Sequence, residues 1–231
     1  MKVDLHTHTS YSRDSTLAPA ELVERARGVG LDRIAVTDHN RIDGAYAAHA
    51  IDPSLVILGE EIACRGGLHL IGLFIHERIP PGLEVEEAAE RIRAQNGIVY
   101  APHPFALLWR PTPRGERLLA VSDAVEVFNG RAFLPIWNRR AVRVARARQL
   151  LIGAGTDGHF AYEIGGSWTE MPSFATAAEF LRALEHARPY HVRQPSPFVH
   201  VASLGVQLAK RVRATLSVPH HSEPPRIERV R

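Results

Sequence analysis

The sequence predicts a single α/β domain built mainly of parallel strands, followed by a short C-terminal extension. Short runs rich in β-forming residues alternate with amphipathic helical patterns, which is typical of a parallel α/β architecture. With 231 residues, 45% of them hydrophobic, the chain is long enough to bury a full core. No repeat, linker or second composition regime interrupts the pattern before about residue 200. We therefore assign the domain to residues 1–200 and the extension to residues 201–231.

The predicted elements follow one another in regular order. Seven strands are expected over residues 2–6, 33–37, 55–58, 68–74, 97–100, 124–128 and 151–154. Four amphipathic helices are expected over residues 19–29, 85–96, 134–149 and 176–187, and a short helix opens the extension over residues 203–215. Pro19 suits the first turn of the first helix and Gly28 its end, while Gly97 closes the second helix.

The basic character of the chain is confined to its C-terminal end. The net charge is +3 and the pI is about 9.3, yet the last 24 residues contain six of the 28 basic residues and only two of the 25 acidic ones. The body of the chain is therefore nearly neutral. A solvated, proline-containing tail is the main interpretation, and a tail that binds nucleic acid is the alternative.

No segment of the sequence indicates a membrane protein or a disulfide framework. No apolar run approaches the roughly 18 residues needed to span a bilayer, and the first residues are too polar for a secretory signal. The single cysteine, Cys64, cannot form an internal disulfide and lies in no recognisable nucleophile motif. We expect a cytoplasmic protein without a membrane partner.

Nine candidate metal ligands lie near the ends of the predicted strands. His6 and His8 share one face of the first strand, because side chains two residues apart point the same way. The other seven are Asp14, His39, Glu61, His69, His103, Asp157 and His159. Active sites of parallel α/β folds gather at the carboxyl ends of the strands, so all nine side chains are expected to share one pocket.

This set of ligands predicts a centre that holds more than one divalent ion. Imidazole and carboxylate without thiolate suit manganese, zinc or iron. Nine ligands also exceed the roughly four of a structural zinc site. A His-x-His pair alone is a weak motif, so the prediction rests on the whole set. Clustered divalent ions in turn indicate hydrolysis.

Five motifs follow one another along the chain: Asp4-Leu-His-Thr-His-Thr-Ser-Tyr-Ser-Arg-Asp14, Ile34-Ala-Val-Thr-Asp-His-Asn40, Gly59-Glu-Glu-Ile62, His103-Pro104 and Gly155-Thr-Asp-Gly-His159. Taken in order, they resemble the motifs of the PHP (polymerase and histidinol phosphatase) superfamily of metal-dependent phosphoesterases. The resemblance covers about residues 1–190. It implies a distorted (β/α)₇, TIM-like barrel that carries two or three divalent ions at the carboxyl ends of its strands.

The resemblance also implies a role for each ligand. It assigns them to three ions in turn: His6, His8, Glu61 and Asp157; then Asp14, His39 and His159; then Glu61, His69 and His103. Glu61 would thereby bridge two ions. Glu60 is the alternative at this position, because only one of two consecutive strand residues faces the pocket, and the Gly-x-Glu pattern favours Glu61.

The predicted function is metal-dependent hydrolysis of a small phosphomonoester that resembles a nucleotide or a sugar phosphate. We expect a water molecule that bridges two ions to have its pKa lowered and to attack phosphorus as hydroxide. His159 is a candidate proton donor to the leaving oxygen. Phosphate also needs cationic side chains, and Arg41, Arg65 and Arg131 follow the motifs closely enough to supply them.

Two alternatives to this function stay open at the level of sequence. A metal-activated water can also attack a phosphodiester or another bond. A noncatalytic metal-binding regulatory module would hold ions without turnover, but the completeness of the ligand set favours an enzyme.

Residues beside the ligands have two interpretations. Asp4 and Asp38 are expected either to orient imidazoles or to cap local structure. The remaining histidines, His200 among them, are expected to be structural or to lie on the surface.

Overall fold

Strands and helices alternate through most of the chain, as the sequence predicts. The structure is a computed structural model that describes residues 1–105, 113–191 and 198–216. The strands are β1 (Lys2–Thr7), β2 (Arg33–Val36), β3 (Val56–Cys64), β4 (Leu68–Leu73), β5 (Ile98–Ala101), β6 (Ala124–Asn129), β7 (Leu151–Gly155), β8 (Ser167–Glu170) and β9 (Arg188–His191). The helices are α1 (Pro19–Gly28), α2 (Asp43–Ile51), α3 (Val85–Ala94), α4 (Pro113–Val121), α5 (Pro135–Arg148), α6 (Ala177–Leu184) and α7 (Phe198–Leu216).

Half of the strand pairings are antiparallel, so the expectation of a mostly parallel sheet was wrong. The strands form one sheet in the order β7-β6-β5-β4-β3-β2-β1-β8-β9. β4 runs antiparallel to β3 and β5, and β8 runs antiparallel to β1 and β9. The reversal at β4 has a local cause, because only Arg65–Gly67 joins it to β3, and Gly66 and Gly67 have φ values of 74° and 72°. So short a connection can form only a hairpin, since a parallel crossover needs about a dozen residues or more.

The sheet curls into a nearly closed barrel, which confirms the architecture that the resemblance implies. The segment after β7 runs beside the end of β1, where Asp157 N donates to His6 O (2.7 Å) and His8 N donates to Gly158 O (2.9 Å). The two ends of the barrel wall are thereby joined at the carboxyl ends of these strands. β8 and β9 extend the sheet beside the start of β1 as an antiparallel pair.

Hydrophobic side chains cover both faces of the curved sheet, because successive residues of a strand point to opposite faces. On one face, Leu5 and Tyr100 belong to the cluster that contains Phe180 of α6. On the other face, Val56 belongs to the cluster that contains Leu22 of α1. None of these five residues is more than 1% exposed. With both faces apolar, the strand ends are where polar side chains can gather.

Four short elements were not predicted from the sequence, namely α2, α4, β8 and β9. α2 is too rich in alanine to show an amphipathic pattern. β9 contains Pro189, which argues against a strand but is tolerated here because β9 is an edge strand. β3 is also longer than predicted, because it continues through the two consecutive glutamates Glu60 and Glu61.

The extension opens with a longer helix than the sequence predicts. α7 starts at Phe198 rather than at about residue 203. It packs on the barrel domain, where Arg131 Nη2 donates to Val199 O (2.8 Å) and Ser203 Oγ (3.0 Å). Residues 217–231 lie outside the described part of the chain, so the domain boundary and the solvated tail stay predictions. Within the three described ranges, no helix has the length and apolar character needed to cross a membrane.

Because β7 approaches β1 closely at Gly155, a side chain at this position is predicted to destabilise the barrel. A Cβ at this position would lie 2.3 Å from His6 Cβ and 2.9 Å from His6 N. We expect Gly155→Ala to lower the free energy of unfolding by about 2–3 kcal/mol, because one of the two strands must shift. Urea titration in the presence of EDTA measures this effect without a contribution from bound ions.

The matched control is Gly205→Ala in α7, where an added Cβ meets nothing within 4 Å. This change should be neutral or should raise the free energy of unfolding by up to about 1 kcal/mol, since alanine favours a helix interior. The same unfolding free energy for Gly155→Ala and wild type would contradict the packing described here.

Candidate metal centre

The nine predicted ligands lie together at one end of the barrel. Eight of them fall into groups of three whose ligand atoms are within 4.8 Å of one another, namely His6, His8, His39, Glu61, His69, His103, Asp157 and His159. The ninth, Asp14, has carboxylate oxygens 3.4 Å from the Nε2 atoms of His39 and His159. The convergence of the whole set is therefore a property of the fold.

The local backbone explains how these side chains reach one point. His103 and Asp157 follow their strands with φ values of 30° and 53°, which are unfavourable for residues other than glycine and turn the chain sharply. His69 arrives differently. Because β4 runs antiparallel to β3, the start of β4 lies at the same end of the barrel as the carboxyl ends of its neighbours. The hairpin thus brings His69 opposite Ala63 and close to Glu61.

The group assigned to the first ion has the spacing of ligands around a common ion. His6 Nε2 and His8 Nε2 are 3.1 Å apart. Glu61 Oε2 lies 3.5 and 3.4 Å from these two nitrogens, and Asp157 Oδ1 lies 3.6 and 3.2 Å from them. Ligands about 2.1 Å from one ion are about 3.0–3.4 Å apart in octahedral or tetrahedral geometry.

The other two groups meet the first at Glu61. His39 Nδ1 is 2.9 Å from Glu61 Oε2, while its Nε2 faces Asp14. On the other oxygen, Glu61 Oε1 lies 2.7 Å from His69 Nδ1 and 3.2 Å from His103 Nε2. Glu61 is only 1% exposed, and it is the residue that contacts histidines of all three groups. Glu60 instead accepts a hydrogen bond from Ile79 N (2.8 Å).

Two buried carboxylate oxygens show that these residues fit divalent cations. Glu61 Oε2 and Asp14 Oδ1 are inaccessible to solvent, and neither accepts a hydrogen bond of suitable geometry from the described residues. A buried carboxylate oxygen that accepts no hydrogen bond is costly unless a cation compensates it. Imidazole nitrogens and carboxylate oxygens are also the donors that manganese, zinc and iron accept.

The electrostatics of the cluster keep Glu61 and His8 in the protonation states that bind metal, whereas the carboxylates of Glu61 and Asp14 outweigh burial and raise the pKa of His39 to about 10. Burial alone would raise the pKa of Glu61, but the imidazoles of His39 and His69 outweigh it and hold this pKa well below its usual range. Burial, reinforced by His159 and His39, lowers the pKa of His8 to about 3. At neutral pH the carboxylate is therefore ionised and the His8 imidazole neutral, as metal ligands must be.

Glu126 is a residue of the centre that the sequence reasoning missed. It is buried in β6, and its Oε1 lies 3.2 Å from His6 Nδ1. Its Oε2 accepts hydrogen bonds from His103 N (2.7 Å) and Asn129 Nδ2 (2.9 Å). A carboxylate on the second nitrogen of a ligand imidazole fixes the tautomer and the ring orientation. The available signal was a single charge inside an otherwise apolar strand.

Asp38 and Asp4 support the centre in different ways. Asp38 accepts hydrogen bonds from Thr9 Oγ1 and Ser12 Oγ, both 2.6 Å, and Ser12 Oγ is 3.2 Å from His8 Nδ1. Asp38 therefore orients His8 through Ser12. Asp4 accepts from the backbone N–H of His6 and from Thr156, so it holds the backbone at the barrel closure rather than an imidazole.

Arg131 lies at the centre, but its guanidinium is already engaged. The side chain is 6% exposed, and its Nε is 3.3 Å from Glu163 Oε1 in addition to the bonds from Nη2 to α7. Glu163 in turn accepts from the backbone N–H of His159 (2.9 Å). Arg131 thus joins α7 to the segment that carries His159.

Arg41 and Arg65 lie at the surface. Arg41 Nε is 3.0 Å from Asp43 Oδ2, and the guanidinium stacks over Tyr11 beside His39. The Arg65 side chain is 71% exposed and donates to Gly82 O (3.1 Å). Arg65 therefore has no described contact with the ligand cluster.

The extension takes part in the centre through α7, which the sequence reasoning did not anticipate. Lys210 Nζ donates to three carbonyl oxygens of the loop that carries Asp14, those of Ser10, Ser12 and Ser15, at 2.6–2.7 Å. Gln207 Nε2 lies 3.5 Å from Asp14 Oδ2. His200, expected to be structural or on the surface, lines the space over the ligands, and its Nε2 lies 3.1 Å from Arg131 O.

A polar cavity of about 330 Å³ lies over the ligands. Seven of the predicted ligands line it, namely Asp14, His39, Glu61, His69, His103, Asp157 and His159. α7 contributes Ser203, Leu204 and Gln207 to its wall. The centre is therefore reached through an opening between the barrel end and α7.

Sequence comparisons connect this geometry to known proteins. The PHP domain model matches residues 4–94, and the PHP-associated model matches residues 135–189. MJ1587 of Methanocaldococcus jannaschii, an uncharacterized protein, is 37% identical over 143 residues, which are 56% of this chain and 82% of that protein. MJ0417 of the same organism, also uncharacterized, is 34% identical over 198 residues, 80% of this chain and 79% of that protein. A 5'-3' exoribonuclease of Haemophilus influenzae is 30% identical over 103 residues, 42% of this chain and 37% of that protein.

Solved structures share the fold at lower sequence identity. PsfC from Pseudomonas syringae has a TM-score of 0.64 and 19% identity, covering 90% of this chain and 98% of that one. An amidohydrolase from Chromobacterium violaceum has a TM-score of 0.60 and 17% identity, covering 83% and 98%. The lesion-specific endonuclease PfuEndoQ from Pyrococcus furiosus has a TM-score of 0.57 and 14% identity, covering 81% and 57%.

The two matched models together include every predicted ligand except His103, and the identity to MJ1587 extends over most of that protein. The barrel and the ligand cluster agree with the same assignment. The chain therefore belongs to the PHP domain family.

Proposed function

We propose that this chain is a metal-dependent hydrolase that releases phosphate from a small phosphomonoester. The observation that carries the proposal is the convergence of nine imidazole and carboxylate ligands beneath the polar cavity, with Glu61 shared between the ligand groups. Two or three divalent ions bound there would lower the pKa of a water molecule and neutralise the charge of the phosphate group. Membership of the PHP domain family supports this reading.

The roles proposed for the ligand residues differ with their depth below the cavity. His6 and His8 are fully buried below the cavity, so their part is to hold an ion rather than to touch substrate. His69 and His103 line the cavity wall, where they face a bound phosphate ester. His159 Nδ1 lies 2.8 Å from Asp157 O and its Nε2 faces Asp14, so the geometry favours a ligand role for His159 over that of a proton donor.

A second candidate function is hydrolysis of a phosphodiester in a polyanionic substrate. A surface cleft of about 720 Å³ adjoins the polar cavity at His39 and Gln207. Its described lining includes no acidic residue and four cationic ones: Arg13, Arg41, Lys210 and Arg211. We refer to this space as the basic cleft. Cationic clefts of this kind suit chains of phosphate groups. The names of the Haemophilus exoribonuclease and of PfuEndoQ agree with this candidate.

One prediction of the proposed function concerns ester hydrolysis. Protein reconstituted with Mn²⁺ should hydrolyse members of a panel of phosphomonoesters, which release phosphate, and phosphodiesters, which release a monoester and an alcohol. His8→Ala, prepared identically, should lose at least about 100-fold in kcat/KM, because a buried ligand of the first ion is removed. Inorganic phosphate is measured colorimetrically, directly for monoesters and after treatment with alkaline phosphatase for diesters, whose hydrolysis yields a monoester and an alcohol. Metal content is measured on the same samples.

The pattern across the panel decides between the candidates. Turnover of monoesters alone supports the leading proposal, whereas preferential turnover of diesters supports the second. A protein that holds its ions and releases nothing from any substrate contradicts both and leaves the noncatalytic interpretation.

Another prediction concerns the support that α7 gives to Asp14. Lys210→Met removes the three carbonyl contacts that fix the loop around Asp14. We expect the affinity for the ion assigned to Asp14, His39 and His159 to fall by about tenfold or more. The ion assigned to His6 and His8 should be retained. Metal content after dialysis against graded chelator concentrations measures this change.

The control for this change is Arg211→Met, an exposed neighbour on the same helix. It should retain ions as wild type does. Equal retention by Lys210→Met and Arg211→Met, in samples with wild-type circular dichroism, would show that α7 does not support the centre.

A further inference from the structure

A second and larger cavity adjoins the metal centre. Its volume is about 640 Å³. Six residues make much of its wall apolar: Leu68, Pro102, Pro104, Leu118, Phe133 and Trp137. We refer to this space as the apolar cavity. It lies within the size range of small-molecule sites in proteins, which is about 300–1,000 Å³.

The apolar cavity is continuous with the metal centre. It shares His69, His103 and Asp157 with the polar cavity, together with Arg131 and His200. Its lining does not include Asp14 or His39, and His39 also lines the basic cleft. The polar cavity therefore has an apolar neighbour on the side of His69 and His103 and a basic neighbour on the side of His39.

We infer that the apolar cavity binds the alcohol part of the substrate, and that this part carries a flat, largely apolar ring. The inference rests on the proposed function and names its substrate class. From a phosphate placed over the ligands, an apolar substituent that extends away from the basic cleft passes His69 and His103 and enters the apolar cavity. The cavity walls then cover the ring.

The wall chemistry selects a ring over a sugar. A sugar placed against Leu68, Pro104 and Phe133 would lose the hydration of its hydroxyl groups and gain few hydrogen-bond partners, which costs about 1–3 kcal/mol for each unpaired group. A ring loses no such hydration. Phe133 and Trp137 present aromatic surface to the cavity, and aromatic pairs favour offset or edge-to-face contacts.

Phe133 gives independent support for an apolar occupant. Its side chain is 51% exposed, although it lies directly beside the buried Ala132 and at the edge of this cavity. An apolar ring bound in the cavity would cover this surface, and covering apolar area is favourable.

Hydrolysis of an ester bound in this way proceeds with the following changes in bonds. The oxygen of water forms a bond to phosphorus, and the ester P–O bond to the ring alcohol breaks. The released alcohol keeps the bridging oxygen and gains one proton, while inorganic phosphate carries the oxygen of the water. His69 and His103 lie on the side where this leaving oxygen departs.

The experiment compares two phosphomonoesters, 1-naphthyl phosphate and glycerol 2-phosphate, with Mn²⁺-loaded protein. Wild type should have a kcat/KM at least about tenfold higher for the naphthyl ester, equivalent to about 1.4 kcal/mol. Because naphthol is also the better leaving group, the differential loss in the cavity variants is the decisive result. Trp137→Ala should lower kcat/KM for the naphthyl ester by about tenfold and change the glycerol ester by less than about twofold. Phe133→Ala, at an exposed position that tolerates change, should act in the same direction.

The control variant is Tyr190→Ala, an aromatic residue on β9 that lines neither cavity. It should leave the ratio of the two kcat/KM values unchanged. Equal kcat/KM for both esters in wild type, or equal loss for both esters in Trp137→Ala and Phe133→Ala, would overturn the inference.

A binding measurement separates this inference from the proposed function. Isothermal titration of the same samples compares 1-naphthylmethylphosphonate, whose P–C bond is not hydrolysed, with inorganic phosphate. If no ester is hydrolysed, the proposed function fails, and tighter binding of the naphthyl phosphonate that is lost in Trp137→Ala still supports the cavity assignment. If esters are hydrolysed but the naphthyl group adds no affinity, the inference fails and the function stands.

Discussion

The buried, ionised carboxylate of Glu61 is the interaction on which the functional end of this barrel depends. A charge taken out of water costs several kcal/mol unless opposite charge or hydrogen bonds compensate it. Here the compensation comes from imidazoles at 2.7–3.2 Å that belong to three different parts of the chain, His39, His69 and His103. Whatever cation occupies the centre, Glu61 requires the ends of β2, β4 and β5 to meet at its carboxylate.

Two features of the sheet meet this requirement. The hairpin at Arg65–Gly67 reverses the direction of β4 and so brings His69 back to the strand that carries Glu61. The bonds between β1 and the segment after β7 bring His6 and Asp157 to the opposite side of the same carboxylate. The centre is thus assembled by the antiparallel hairpin, which departs from a regular parallel barrel, and by the parallel closure of the barrel.

The candidate ligands could be predicted from the sequence, but the residues that hold these ligands in position could not. His6 and His8 could be predicted because strand periodicity and motif order act locally. Glu126 could not, since its contact with His6 spans 120 residues and the single charge in strand 124–128 does not indicate which residue it contacts. Lys210 could not either, because it binds backbone carbonyls, which have no sequence signature. His69 lies in the centre, but through an antiparallel strand rather than the parallel one expected.

The closure of the barrel between its first and seventh strands also decides when ions can be held during biosynthesis. The deepest ligand group combines His6 and His8 with Asp157, so it does not exist until nearly 160 residues have been made and the seam has formed. Ions that bind only this closed form add their binding free energy to the stability of the finished chain. The complete ligand group is thereby a property of chains in which the first and seventh strands have already met.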